Sequence, residues 1–434
     1  MQLSYDILPE ILLYFSGFFG VLYALYRPYL FSLIDPLFIF VFTTAFASVL
    51  VVEVVPDAPS VWHFFICQFC LFGGFATVQR KHPTRFVPPG VQLRFDNVAA
   101  LELTVYLLLG LYVVSNLVVF FTKGFALLSD TPSDSKVANF QGGFGIFRKI
   151  NWAAGGVATT GLLYLHLKKQ QRRFGWLLLM VAVFTALEGS KSSLLRLLVA
   201  FAFLAYHPLF RSQVAVLQSL KRYLPIGVAA ILVVFFTVLF KENEDTEQAL
   251  FAFVRRFLYS GDAMLYYYVP VNQNYFTRYT FADYPAYLLN TILGFLRLAP
   301  YQEAFGNVMV ENALPAFAQA DVIVGPNTPF YIEGKIFFGY YGAFVHSFLI
   351  GSLYALVRRA YFTLVSGSAF QLVFLASLGQ VAGSILTDTS LFVTMLFDTC
   401  FFVLPTYVLA CFLIDKKLVL RRPGFFTIHT GRLV

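Results

Sequence analysis

Apolar runs of about twenty residues follow one another along most of this chain, each long enough to cross a hydrocarbon layer of about 30 Å. They predict transmembrane helices at Glu10 to Tyr26, Asp35 to Val55, Val61 to Val78, Val98 to Phe121, Ile150 to His166, Phe174 to Leu187, Ser192 to Tyr206 and Leu224 to Phe240. Three more follow at Ile336 to Val357, Phe362 to Leu386 and Leu391 to Ile414. The expected class is an all-α polytopic membrane protein of about eleven spans. The pattern breaks between Lys241 and Lys335, where no full span is legible. The chain thus divides into helices 1–8 (residues 1–240), a large loop (241–335), and helices 9–11 with a basic tail (336–434).

The interrupted stretch has an order of its own. Leu250, Phe253, Val254, Phe257 and Leu258 recur at helical spacing and leave Arg255 and Arg256 off the stripe, which predicts a helix lying along the membrane surface. Ser260-Gly261-Asp262 should end it. A second helix is bounded by Pro285 and Pro300, with Asn290, Gly294 and Arg297 as a thin polar stripe, and is read as a surface or re-entrant helix. Further on, Gly325-Pro326-Asn327-Thr328-Pro329 enforces a turn that delivers Glu333 and Lys335 to the mouth of the next span.

Composition agrees with burial in lipid: 59% of residues are hydrophobic and 12% charged, which a water-soluble surface would not tolerate. The 52 Phe and 25 Tyr are too many to serve as interfacial belts alone. A net charge of +8 does not point to nucleic acid, because the basic residues stand in small groups beside apolar runs. Most of the 31 Lys and Arg fall in alternate loops, at Arg80 to Arg94, Lys168 to Arg173, Arg211 to Arg222, Arg358-Arg359 and from Lys416 on. By the positive-inside rule these loops face the cytoplasm, the N-terminus and the large loop lie outside, and the C-terminus lies inside. No cleavage site follows the first apolar run, which is read as a retained span. Cys67-x-x-Cys70 has no second pair and reads as two buried thiols. No repeat is detectable, which weakens a transporter reading.

The outer arginines Arg255, Arg256, Arg278 and Arg297 suit an anionic ligand, since guanidinium binds phosphate through two parallel bonds and keeps its charge in a partly apolar setting; snorkelling to lipid phosphates is the plainer reading. Lys191 and Arg196, beside the hairpin Glu188-Gly189-Ser190, are read as a further wall of that site. Asn327 and Lys335 complete the binding set. Asp262, before Tyr266, Tyr267 and Tyr268, and Glu333 are the candidate general bases for a hydroxyl. His346 reads as a packed, hydrogen-bonded histidine. No P-loop, dinucleotide fingerprint, H-E-x-x-H or G-x-S-x-G is present.

The multispan plan, the long late outer loop, the arginine set from Arg255 onward and the segment from Gly325-Pro326-Asn327 to Phe338-Gly339-Tyr340-Tyr341-Gly342 resemble the bacterial O-antigen or oligosaccharide repeat-unit polymerases of Wzy type. The resemblance implies a GT-C-like glycosyltransferase of the bacterial inner membrane, active in lipopolysaccharide biosynthesis on the periplasmic side. Its substrates would be undecaprenyl-diphosphate-linked oligosaccharides, and a flippase and a chain-length regulator its partners. No cofactor and no metal is expected, because arginines can neutralise the departing diphosphate. The related O-antigen ligases use a histidine of the large loop; none stands between Lys241 and Lys335, which favours a polymerase. A ligase, another lipid-linked-sugar glycosyltransferase, or an exporter without chemistry are the alternatives.

Overall fold

The computed structural model describes residues 8–55, 57–81, 93–129, 132–188, 191–211, 257–314 and 325–415, with isolated positions at 225, 229, 232 and 254; of 132–134, 191–195 and 211 it describes the backbone alone. Apart from those isolated positions, the predicted span at Leu224 to Phe240 lies outside the described residues, as do the pair Arg255 and Arg256 and the side chain of Lys191.

The described chain is a helical bundle. Its elements are α1 (Leu8–Tyr26), α2 (Pro36–Val54), α3 (Ala58–Val78), α4 (Val98–Lys123), α5 (Pro132–Ala138), α6 (Gly145–Lys169), α7 (Arg172–Leu187), α8 (Lys191–Tyr206) and α9 (Pro208–Arg211). After the undescribed stretch come α10 (Asp262–Tyr267), α11 (Pro270–Phe276), α12 (Tyr284–Phe295), α13 (Phe305–Ala313), α14 (Phe330–Phe362), α15 (Ala369–Val381) and α16 (Thr389–Asp415). Seven helical stretches among the described residues are long and apolar enough to cross a membrane: α1 to α4, α14, α15 with the turn to Leu386, and α16. The protein is therefore membrane-embedded, and its described residues are mostly α-helical. The one sheet described pairs Arg94–Asp96 (β1) in parallel with Ser366–Ser368 (β2), tying the start of α4 to the turn before α15.

Close helix contacts are made by small residues, as expected where lipid offers no hydrophobic drive for association. A Cβ on Gly74 of α3 would lie 1.9 Å from the Phe348 carbonyl of α14, and one on Gly351 would lie 2.0 Å from the Leu71 carbonyl. Two buried cores result. One gathers α4, α6, α7, α8 and α15; the other gathers α2, α3, α14 and the short helices α10, α11 and α13.

At one end of the bundle Asp35 and Arg358 are both fully buried. Arg358 Nη1 donates to Asp35 Oδ1 at 2.5 Å and Nη2 to Oδ2 at 2.8 Å. The same carboxylate accepts from the amides of Phe31 and Leu37 and so caps α2. A single carboxylate thus fastens α14 to the start of α2.

α14 departs from the sequence reading. It starts six residues before the predicted span and is broken at Gly339, where φ is 74° and ψ −175°, a region essentially closed to side-chain-bearing residues. The two halves double back on each other. A Cβ on Gly334 would lie 2.9 Å from Ala343 Cα, and His346 Nδ1 donates to the Phe330 carbonyl at 3.1 Å. In one continuous helix those last two residues would be about 24 Å apart.

Where the interrupted stretch is described, it packs on the first two helices. Val254, Phe257 and Leu258 pack on α1 and α2, beside Phe15, Phe42 and Phe46. The reason is a glycine: a Cβ on Gly261 would lie 2.9 Å from Ala47 Cα, so the turn presses into the face of α2, and Ser260 Oγ donates to the Thr43 carbonyl. Asp262 opens α10 instead of closing the preceding helix.

Candidate functional site

The break in α14 makes one wall of a groove of about 870 Å³. Residues 335–349 of α14 line one side, and Gln273 to Phe281, from α11 and the turn after it, line the other, with Tyr267 between them. Such a volume suits a drug-sized or larger ligand. Rings dominate the lining: Tyr267, Phe276, Tyr279, Phe281, Phe337, Phe338 and Tyr340. The wall continues onto Val345 and Leu349, apolar residues of α14 that are 63% and 57% exposed.

Lys335 is the cation of the lining. Its Nζ donates to Tyr268 Oη at 2.8 Å and stands 4.5 Å from the centre of that ring and 5.6 Å from that of Tyr267. Two aromatic faces thus hold the ammonium, and the Asp57 carboxylate is near enough to favour its charge. Arg278 sits at the rim, between the lining residues Thr277 and Tyr279. Its guanidinium stacks 3.7 Å from the Tyr275 ring centre and donates to Tyr279 Oη at 3.1 Å.

Glu333 is wholly buried behind this wall and is not part of the lining. Its Oε1 accepts from Tyr287 Oη at 2.8 Å and from the Thr389 amide at 3.0 Å, while Oε2 meets the Thr389 hydroxyl. Thr389 Oγ1 stands 3.2 Å from Tyr284 Oη, which in turn is 2.9 Å from His346 Nε2. Pro285 at the first turn of α12 sets the helix that presents Tyr284 and Tyr287 one turn apart on one face. Asp388, next to Thr389, accepts from the Leu391 amide at 2.7 Å, and burial pushes its carboxyl up to about 6.

The other residues singled out in the sequence are scattered. Asp262 stands beside α2, away from the groove lining, and burial pushes its carboxyl up to about 7 although its own amide and that of Ala263 pull it down. Arg297 is exposed and caps α12 in a left-handed conformation, φ 56°. The polar stripe it was assigned to has a packing role: Asn290 donates to the Gln302 carbonyl and accepts from the Gln302 amide, and Gly294 accommodates Tyr301. Asn327 is exposed on the turn before α14. That turn is fixed by two glycines in contact, Gly306 and Gly325, and by the Gly325 amide donating to Asn307 Oδ1 at 2.9 Å.

Arg196 borders a different and smaller cavity, about 40 Å³, between α4, α6, α7 and α8, with Tyr112, Asn151, Trp152 and Glu188. That is room for a few waters at most. Asn151 Nδ2 donates to Glu188 at 3.2 Å, and burial pushes the Glu188 carboxyl up to about 7. Glu188 and Arg196 therefore border a pocket of their own, distinct from the groove that Lys335 lines.

Of the ten residues named from the sequence, the groove takes in Lys335, with Arg278 at its rim and Glu333 behind it. Sequence reasoning missed Tyr284, Tyr287 and Thr389, and gave His346 only a packing role. Their signal was faint: Tyr284 and Tyr287 share a helix face at i and i+3, but among so many tyrosines nothing marked the pair. No model of a known protein family, no curated protein and no solved structure matches this chain.

Proposed function

We propose that this chain is a membrane glycosyltransferase that uses sugars carried on a lipid diphosphate and joins oligosaccharide repeat units into a longer polysaccharide, as polymerases of Wzy type do. It would act at the outer face of a bacterial inner membrane, with its N-terminus outside and its C-terminus inside. The observation that carries the reading is the groove itself. An aromatic trough with a caged ammonium, continuous with the exposed apolar Val345 and Leu349, suits a molecule whose tail stays in the bilayer while its anionic and sugar parts enter the protein.

The chemistry asked of such a site is modest. The acceptor oxygen bonds to the anomeric carbon, and the bond from that carbon to the phosphate oxygen breaks with its electron pair on the phosphate. Charge grows on the departing diphosphate, where Lys335 and Arg278 supply fixed cations. Arg255 and Arg256 remain candidates for the same task. The hydroxyl proton has to leave, and Glu333, which does not touch the groove, can take part only through an intermediary.

The test is a strain lacking the native copy. One repeat unit on the lipid core, restored to a long ladder by the wild-type chain and not by Lys335→Met, is the expected outcome; a bare core would point to a ligase or flippase instead. A second reading, export without chemistry, draws on the broken helix α14, since interrupted spans carry the binding sites of many transporters. Movement of lipid-linked sugar across vesicles without any new glycosidic bond would favour it.

A further inference from the structure

We propose that Glu333, Thr389, Tyr284 and His346 form a proton relay that holds one proton beyond those of an ionised carboxylate and a neutral imidazole, and passes it between the buried carboxyl group and the groove wall. Three links, Glu333–Thr389, Thr389–Tyr284 and Tyr284–His346, each need one hydrogen. The Phe330 carbonyl only accepts, so His346 Nδ1 carries hydrogen. If Nε2 is bare, Tyr284 donates to it, Thr389 donates to Tyr284, and Glu333 has to carry the proton it gives to Thr389. If Nε2 carries hydrogen, every link reverses and Glu333 is ionised. Both arrangements fill all three links and differ only by a shift of protons along the chain. An ionised Glu333 beside a neutral His346 supplies two hydrogens for three links and leaves one empty in a buried site.

The surroundings allow this count to stand alone. Glu333 Oε1 is occupied by Tyr287 and the Thr389 amide, which add donors but no link to the relay. Lys335 turns away to Tyr268, and His63 of α3 stacks on Tyr340 and Phe344 rather than on His346. Asp388 is the other carboxylate beside the relay, held by the Leu391 amide. Ionisable groups in chains of this kind inside membrane proteins commonly conduct protons. His346 lines the groove, so the relay runs from the place where a hydroxyl would lose its proton to a buried carboxyl near Asp388. A shift balances within the relay: Glu333 loses one proton, His346 Nε2 gains one, and Thr389 and Tyr284 each pass one on and receive one.

The inference rests on the proposed transfer only for the source of the proton. It is tested first without turnover, on the full chain in lipid vesicles at pH 7, by infrared spectroscopy of the carboxyl groups and nitrogen NMR of His346. The expected result is either a carboxylic-acid band that Glu333→Gln removes, or a His346 with hydrogen on both nitrogens. An ionised Glu333 with a singly protonated His346 would overturn the relay. Thr389→Val should change the proton distribution and Thr389→Ser should keep it; identical spectra for Val and wild type would equally contradict the proposal. If purified protein lengthens lipid-linked sugar, Thr389→Val and Tyr284→Phe should slow it roughly 100-fold and Thr389→Ser far less. Absence of any transfer by the wild type would remove the proposed function while leaving the spectra to decide the relay.

Discussion

Gly339→Ala should unmake the groove. Nothing lies within 4 Å of a Cβ built at this position, so the substitution meets no steric obstacle from neighbours and acts only through its own backbone. At φ 74° and ψ −175° that backbone costs an alanine about 1–3 kcal/mol. With tenfold per 1.4 kcal/mol, the broken form of α14 should lose roughly 5- to 150-fold in population against a straightened helix. Straightening would carry Phe330 to about 24 Å from His346 and separate the residues that line the groove from those behind it. Paired spin labels at the exposed residues Asn327 and Val345 report this by a lengthened distance component. Gly110→Ala is the control, an exposed helical glycine with open space around it, where alanine should be neutral or stabilising by up to about 1 kcal/mol. Unchanged label distances in Gly339→Ala, with a comparable effect at Gly110, would refute the claim that the break depends on glycine.

Further expectations follow from individual groups. Removing one partner of the Asp35–Arg358 pair, as in Arg358→Met, should destabilise by about 3–5 kcal/mol, and Asp35→Leu with Arg358→Met should recover much of that, as read by thermal unfolding in detergent. Recovery fails as a prediction only if the double variant is as unstable as the single one. Because the folded carboxyl of Asp262 is raised above its unfolded value, its contribution is fully present below about pH 4 and is lost as pH rises through about 7. Asp262→Asn should therefore flatten the decline in melting temperature over that window and leave the acid side unchanged. Lys335→Met should weaken binding of a lipid diphosphate at least tenfold while Lys335→Arg keeps most of it, checked by titration in vesicles.

The helices were legible because lipid leaves a long apolar signature. The stretches predicted at Asp35 to Val55, Val61 to Val78 and Val98 to Phe121 coincide within a few residues with α2, α3 and α4. The break in α14 was not legible, since Phe338-Gly339-Tyr340 sits inside an unbroken apolar pattern and only the backbone angle of Gly339 reveals it. The candidate site was partly legible: charge in an apolar setting marks Glu333 and Lys335 at once. What periodicity could not supply was partnership. Asn290 and Arg297 share a stripe, yet one secures the return at Gln302 and the other caps a helix. Tyr284, Thr389 and His346 are more than a hundred residues apart at the extremes and meet only because α14 folds back at Gly339 and α12 docks against the start of α16.

The most direct test of the central claim uses purified full-length protein in vesicles, with a lipid-diphosphate-linked oligosaccharide as the sole substrate and products resolved by size. A ladder of two, three and more units, lost with Lys335→Met, is the expected product. Recovery of single units alone, from protein whose α14 spin-label distances show the folded-back form, would contradict it.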